Sequence, residues 1–195
     1  FRHIIKQEPQ IGLAWCQLAN CLLQQNNVPE ALNISKNGLD ANPNNTDILS
    51  FLSMLHWNLN QPKQAVDYGE KASAKAGKQA VIPYNLGNMY YKGKGVKADI
   101  KLAAQWLTKA AEQDDVDALN SIGLLYATGT GVVQDYQLAL KWWTKLAELG
   151  NTNAQFNIAY LYSDGLGTEQ NKKTAYFWYF IAEKHGHIGS KYQKI

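Results

Sequence analysis

The chain is poor in cysteine and poorer in arginine, and it lacks any apolar run long enough to cross a bilayer. Its 195 residues include two cysteines, Cys16 and Cys21. Five positions apart on what reads as one helix, they are turned about 140° from each other at 100° per residue. A disulfide between them would break that helix, which leaves two small apolar side chains in or near a core. Free thiols agree with a reducing compartment without fixing one. Arg2 is the single arginine among 19 basic residues; the others are lysines spread along the chain, for a formal charge of +3. Nucleic-acid readers gather Arg and Lys on one face with aromatics between them, so no nucleic-acid partner is expected. With no stretch of 18 apolar residues, direct membrane insertion is not expected either.

Catalytic signatures are missing as well. There is no Gly-x-Ser-x-Gly elbow, no His-Glu-x-x-His pair and no Gly-Lys-Ser/Thr loop. The triplets Gly93-Lys94-Gly95, Gly129-Thr130-Gly131 and Gly165-Leu166-Gly167 follow predicted helices and lack the third glycine of a dinucleotide fingerprint. They read as turns. Glu183, His185 and His187 stand close together, but alternating positions on a helix end diverge, and a solvated C-terminal turn is expected. Glu112, Asp114, Asp115 and Asp117 lack the ordering of a calcium loop and sit where acidic residues complement the amides that open a helix. The expectation is a non-catalytic protein with no cofactor and no metal.

What the chain does contain is periodicity. Gly87, Tyr90, Gly93, Gly95, Asp99, Ala103, Trp106 and Ala111 recur 36 residues later as Gly123, Tyr126, Gly129, Gly131, Asp135, Ala139, Trp142 and Ala147. Seven of these positions recur again as Ala159, Tyr162, Gly165, Gly167, Asn171, Ala175 and Trp178. The first half repeats at 34 residues, pairing Pro9 with Pro43, Leu18 with Leu52, Leu22 with His56 and Ala31 with Ala65. Such self-similarity marks a solenoid whose units bury their apolar faces only against neighbours. Each unit reads as a helical hairpin, with stripes such as Leu86, Met89 and Tyr90 on the first helix and Ala103, Trp106, Ala110 and Ala111 on the second. The glycines are expected to end first helices at positive φ, and Asp99, Asp135 and Asn171 to cap second helices. Trp106 is expected to be buried between units, and His56 to pack at a core position. Asp114 stands where later units have Gly150 and Gly186, and a differently built corner is expected there because Asp tolerates the left-handed region less well.

Trp15, Leu18, Ala19, Leu22, Ala31 and Pro43 have the spacing of a tetratricopeptide repeat over residues 12–45, with a weaker copy over 46–79 in which Gly77 replaces the proline. The run Leu86-Gly87-x-x-Tyr90-x-x-Gly93-x-Gly95-Val96-x-x-Asp99, followed by Ala103, Trp106 and Lys109-Ala110-Ala111-Glu112, resembles Sel1-like repeats. The resemblance implies an all-α, right-handed solenoid superhelix. Its expected parts are the end of a preceding repeat helix (1–11), two tetratricopeptide units (12–79), three Sel1-like units (80–187) and the start of a further helix (188–195). Both ends would then be cuts from a longer protein.

In such arrays the first helix of each hairpin lines the concave side. The register projects Asn20, Gln24, Met54, Trp57 and Asn58 onto that face from the first two units, with Cys16, Leu23 and Ser50 beside them. The Sel1-like units add Tyr84, Asn88, Tyr91, Asn120, Leu124, Phe156 and Tyr160, with Lys92, Thr128 and Asp164. Amides can pair with a peptide backbone, and aromatic rings offer contact area at small entropic cost. A carboxylate clamp is not expected, because the early helix position never holds Lys. The resemblance implies an adaptor that holds an extended peptide or a partner helix, in assembly of a bacterial envelope or secretion complex. The alternative is a carbohydrate-binding module that stacks an envelope polysaccharide on Trp57, Tyr84, Tyr91 and Tyr160. Periplasm, envelope and cytoplasm all remain open.

Overall fold

The computed structural model describes residues 1–75, 81–94 and 96–187. Gly77, Gly95 and the further unit expected at 188–195 lie outside the described residues. Among the described residues there are eleven helices and no strand: α1 (Arg2–Gln7), α2 (Gly12–Gln24), α3 (Val28–Ala41), α4 (Thr46–Asn58), α5 (Pro62–Lys75), α6 (Val81–Lys92), α7 (Ile100–Ala111), α8 (Val116–Thr128), α9 (Tyr136–Glu148), α10 (Thr152–Asp164) and α11 (Lys172–Lys184). They fall into two compact units, Phe1–Ala98 and Asp99–Ile195.

Helix starts are set by short polar side chains. Asp99, Asp135 and Asn171 accept from the amides of Leu102, Leu138 and Thr174 at 2.9–3.0 Å, as their spacing predicts. Asn27, Asn45, Asp115 and Asn151 cap α3, α4, α8 and α10 in the same way. Each satisfies an amide that the first helical turn leaves without a partner.

In the first unit α2 pairs with α3, α4 with α5, and α2 packs on α4. Trp15, Ala19, Leu22, Ala31, Ile48, Phe51, Leu52 and Leu55 form the core between them. Gly38 lets α3 approach the Trp15 ring, since a Cβ there would sit 2.7 Å from it. The indole N–H of Trp15 and the amide of Asn42 both donate to the Pro9 carbonyl, at 2.8 and 2.6 Å. His56 is buried as expected, stacked on Tyr68, with Nδ1 2.7 Å from Gln61 Oε1. Cys16 lies inside this core and not on the concave face projected for it. Burial, reinforced by the charge of Asp47, pushes its thiol up to about 12.

The second unit is built differently. Its core sets alanines of almost no exposure (Ala103, Ala118, Ala139, Ala154, Ala159, Ala175) among Leu119, Ile122, Leu146 and Ile158 and the large rings of Trp142, Trp143 and Tyr179. Small residues let the helices close, and the rings fill what remains. Gly123 admits Trp143, whose Nε1 would be 2.5 Å from a Cβ added there. The recurring tryptophan is not uniformly buried. Trp142 is 7% exposed, but Trp106 and Trp178 are half-buried, so the expected burial of Trp106 is only partial. Lysine stems complete the cover, with Lys109 Nζ 4.5 Å from the Trp106 centroid and Lys141 Nζ 5.2 Å from that of Trp142.

Two corners correct or extend the sequence reading. Asp114 adopts φ 63°, the conformation of Gly150 and Gly186, so its corner is built alike and not differently. Lys145 Nζ lies 2.6 Å from its carboxylate in an exposed ion pair. Gly131 and Gly167, at φ 74° and 70°, do more than turn the chain. A Cβ at Gly131 would come within 2.3 Å of Ile100, and one at Gly167 within 2.4 Å of the Tyr136 backbone. Each loop therefore lands on the first residue of the helix opened by the preceding cap.

Candidate partner-binding face

A first helix buries one face and leaves a stripe at i, i+4 and i+7/8 turned away from the core. On α8 the buried side is Ala118, Leu119, Ile122, Gly123 and Leu125; the opposite stripe is Asn120, Leu124 and Thr128, all exposed. On α10 the buried side is Ala154, Gln155, Ile158, Ala159 and Leu161, and the stripe is Phe156, Tyr160 and Asp164. Leu124 is 53% and Tyr160 46% exposed. Helix α9 packs against both α8 and α10.

The first unit repeats the pattern. On α2, Gln24 is exposed and Asn20 and Leu23 are half-buried; on α4, which packs against α2, Met54 and Asn58 are exposed, and Trp57 and Ser50 half-buried. On α6, Tyr91 and Lys92 are exposed and Tyr84 and Asn88 half-buried.

Several of these side chains are engaged in ways their register does not announce. Lys94 Nζ lies 4.6 Å above the Trp57 ring centroid, a cation–π contact that covers one face of the indole. Phe156 is stacked on His187 at 4.4 Å and meets Tyr179 edge-on at 5.3 Å. His187 is thus half-buried rather than solvated, and His185 Nδ1 sits 3.0 Å from Oε1 of the buried Gln155. The charge of Asp164, one turn on, holds the Tyr160 phenol above its ordinary range. Tyr179 is raised by burial first and by Asp164 next.

A second exposed aromatic group, which first-helix register does not include, stands on α11: Tyr176, Phe177 and Phe180 are 46–58% exposed. A signal was present, since Phe177 stands 36 and 72 residues beyond Lys141 and Gln105. A shallow cleft of about 370 Å³ lies elsewhere in this unit, between Lys101 and Gln105 of α7 and Val133, Asp135 and Leu138 near the start of α9. Among the described residues no helix is long and apolar enough to cross a membrane.

The Sel1 repeat model matches residues 84–115, 116–151 and 152–187. A structure of c5321, a protective antigen of uropathogenic Escherichia coli strains displaying an SLR fold, is 30% identical at a TM-score of 0.78, over 95% of this chain and 41% of that one. A Sel1 repeat protein from Oxalobacter formigenes is 32% identical at a TM-score of 0.65, over 90% and 72%. YrrB, a TPR protein, shares the fold at 21% identity and a TM-score of 0.61, over 95% and 92%. A putative sel1-like repeat-containing protein, L18, from Acanthamoeba polyphaga mimivirus is 44% identical over 45 residues, which is 23% of this chain and 8% of that protein. The chain thus spans less than half the length of both the antigen and the viral relative. Its fold is the all-α solenoid class of Sel1 and tetratricopeptide proteins.

Proposed function

We propose, from the premise that this chain belongs to the Sel1-repeat family, that its first-helix stripes hold an extended peptide or a helix of a partner protein. Proteins of this repeat class are typically non-catalytic interaction scaffolds. The observation that carries the finer reading is the pairing of exposed apolar and amide side chains along successive first helices: Gln24, Met54, Asn58 and Tyr91 in one unit, Asn120, Leu124 and Tyr160 in the other. Amides can match a backbone's donor and acceptor while Tyr and Leu bury partner side chains. YrrB, which shares the fold, is described as having an unusual peptide-binding site. An envelope or secretion setting in a bacterium belongs to the proposal and rests on family kinship.

The carbohydrate alternative draws less support, because Lys94 already occupies a face of Trp57 that a sugar would need. Selection from a displayed library of random peptides, run beside a glycan array, separates the two. Selected peptides that lose affinity for Tyr91→Ala or for Leu124→Asp, each folded by circular dichroism, are the expected result. Glycan binding alone, or peptides indifferent to both substitutions, would contradict it.

A further inference from the structure

Helix α11 departs from the pattern of its own repeat along one seam. Positions 173, 176, 180 and 183 are three, four and three apart, the spacing that lines up side chains for a facing helix. In α7 that seam is Lys101, Ala104, Thr108 and Ala111, and in α9 it is Gln137, Leu140, Thr144 and Ala147. There it turns toward the next repeat. Lys101, Ala104 and Thr108 line the cleft shared with Tyr126 and Leu138, and Ala111 and Ala147 are buried. In α11 the seam reads Lys173, Tyr176, Phe180 and Glu183. Tyr176 is 58% and Phe180 46% exposed. Lys173 and Glu183 are exposed too, and neither has an ion-pair partner among the described residues. Adjoining rings left in water mark an interaction surface.

A further repeat of the same pattern does not fit this seam. It would cover Glu183 where Ala111 and Ala147 lie buried. Residues 188–195, carried on in register, would also set Lys191 and Lys194 at the buried positions of Gln155 and Ile158. Charge without compensation is costly to bury. The seam does fit a second copy of itself. It runs cation, ring, ring, anion, so antiparallel pairing sets Lys173 against Glu183 and Tyr176 against Phe180, each twice by symmetry. Parallel pairing would oppose like charges at both ends. Lys172 and Lys184 fall on opposite edges of the seam, so the antiparallel pairing does not bring them together.

We propose that α11 is the contact helix of a homodimer, in which two copies of this chain pack antiparallel along Lys173, Tyr176, Phe180 and Glu183. Phe177, 55% exposed, borders the seam and adds apolar area. One helix pair is smaller than a standard interface, so the dimer is weak. This surface belongs to a second helix and stands independently of the peptide-binding reading.

Sedimentation velocity on the intact chain, from about 5 µM to about 1 mM, tests it. The parent should pass from monomer to dimer across that range. Lys173→Glu and Glu183→Lys each create two like-charge contacts and should each weaken the dimer about tenfold; the two combined should restore it. Phe180→Ser should weaken it about thirtyfold. All of these positions are exposed, and each variant is checked for fold by circular dichroism. A parent that stays monomeric throughout would overturn the proposal. So would a dimer indifferent to these substitutions, or a double variant no tighter than the single ones.

Discussion

The two units solve one packing problem with different materials. In Phe1–Ala98 the hairpins turn at Asn26 and Asn60, left-handed at φ 58° and 55°, and the core sets Ile, Leu and Phe beside Trp15 and alanines such as Ala19 and Ala31. In Asp99–Ile195 the repeat is two residues longer, and the loops place Gly131 and Gly167 against Ile100 and Tyr136. The extra length brings each loop against the preceding repeat, and the core there combines Leu and Ile, such as Leu119, Ile122, Leu146 and Ile158, with more buried alanines and with Trp142 and Trp143. Charge differs as well: ten basic residues face six acidic ones in 1–98, against nine and ten in 99–195. The lesson is that a longer period adds loop-to-helix contact to the cohesion that side-chain packing supplies in both units.

Deleting a ring from the second unit should have the largest effect. Trp142→Ala removes a side chain that is 7% exposed and should cost about 3–5 kcal/mol in urea unfolding. A cost below 1 kcal/mol would mean that the alanine-rich core closes over the gap. Gly167→Ala should follow, at about 2–4 kcal/mol, because it adds left-handed strain to a clash with the Tyr136 backbone. Gly150→Ala, left-handed but with nothing within 4 Å, should cost only about 1 kcal/mol. Equal losses would remove the loop contact from the comparison.

Acidity probes the first unit. The Cys16 thiol is raised from 9.0 to about 12 in the fold, so folding favours its neutral form. The stability it contributes is complete below pH 9 and is lost as pH rises from there toward about 12. Urea midpoints at pH 8 and pH 10.5 should therefore fall further for the parent than for Cys16→Ala. A parallel decline would contradict the burial. The smallest effect belongs to Asp114→Gly, which relieves left-handed strain but gives up an exposed ion pair with Lys145. The net change should stay within about 1 kcal/mol in thermal unfolding.

Local features were legible in the sequence. Caps at Asp99, Asp135 and Asn171 and left-handed glycines at 93, 129 and 165 depend only on nearby backbone, so spacing sufficed. The helical period also indicated which side of α8 and α10 turns outward. Features set by a neighbour were not legible. The half-burial of Trp106, Lys94 over Trp57 and His187 over Phe156 depend on side chains meeting across elements. Asp114 takes the left-handed corner that Asn26 and Asn60 also take, so residue type alone does not set the corner's geometry. Cys16 was placed on the stripe by register, but the crossing of α2 and α4 buries it.

The most direct measurement maps backbone amide shifts in the labelled chain as a display-selected peptide is added. Perturbations gathered on the first-helix stripe of a unit, at Met54, Asn58 and Tyr91 or at Leu124 and Tyr160, are predicted. Perturbations gathered instead on the second helices, at Gln105, Lys141 and Phe177, would contradict a working surface built from the first ones.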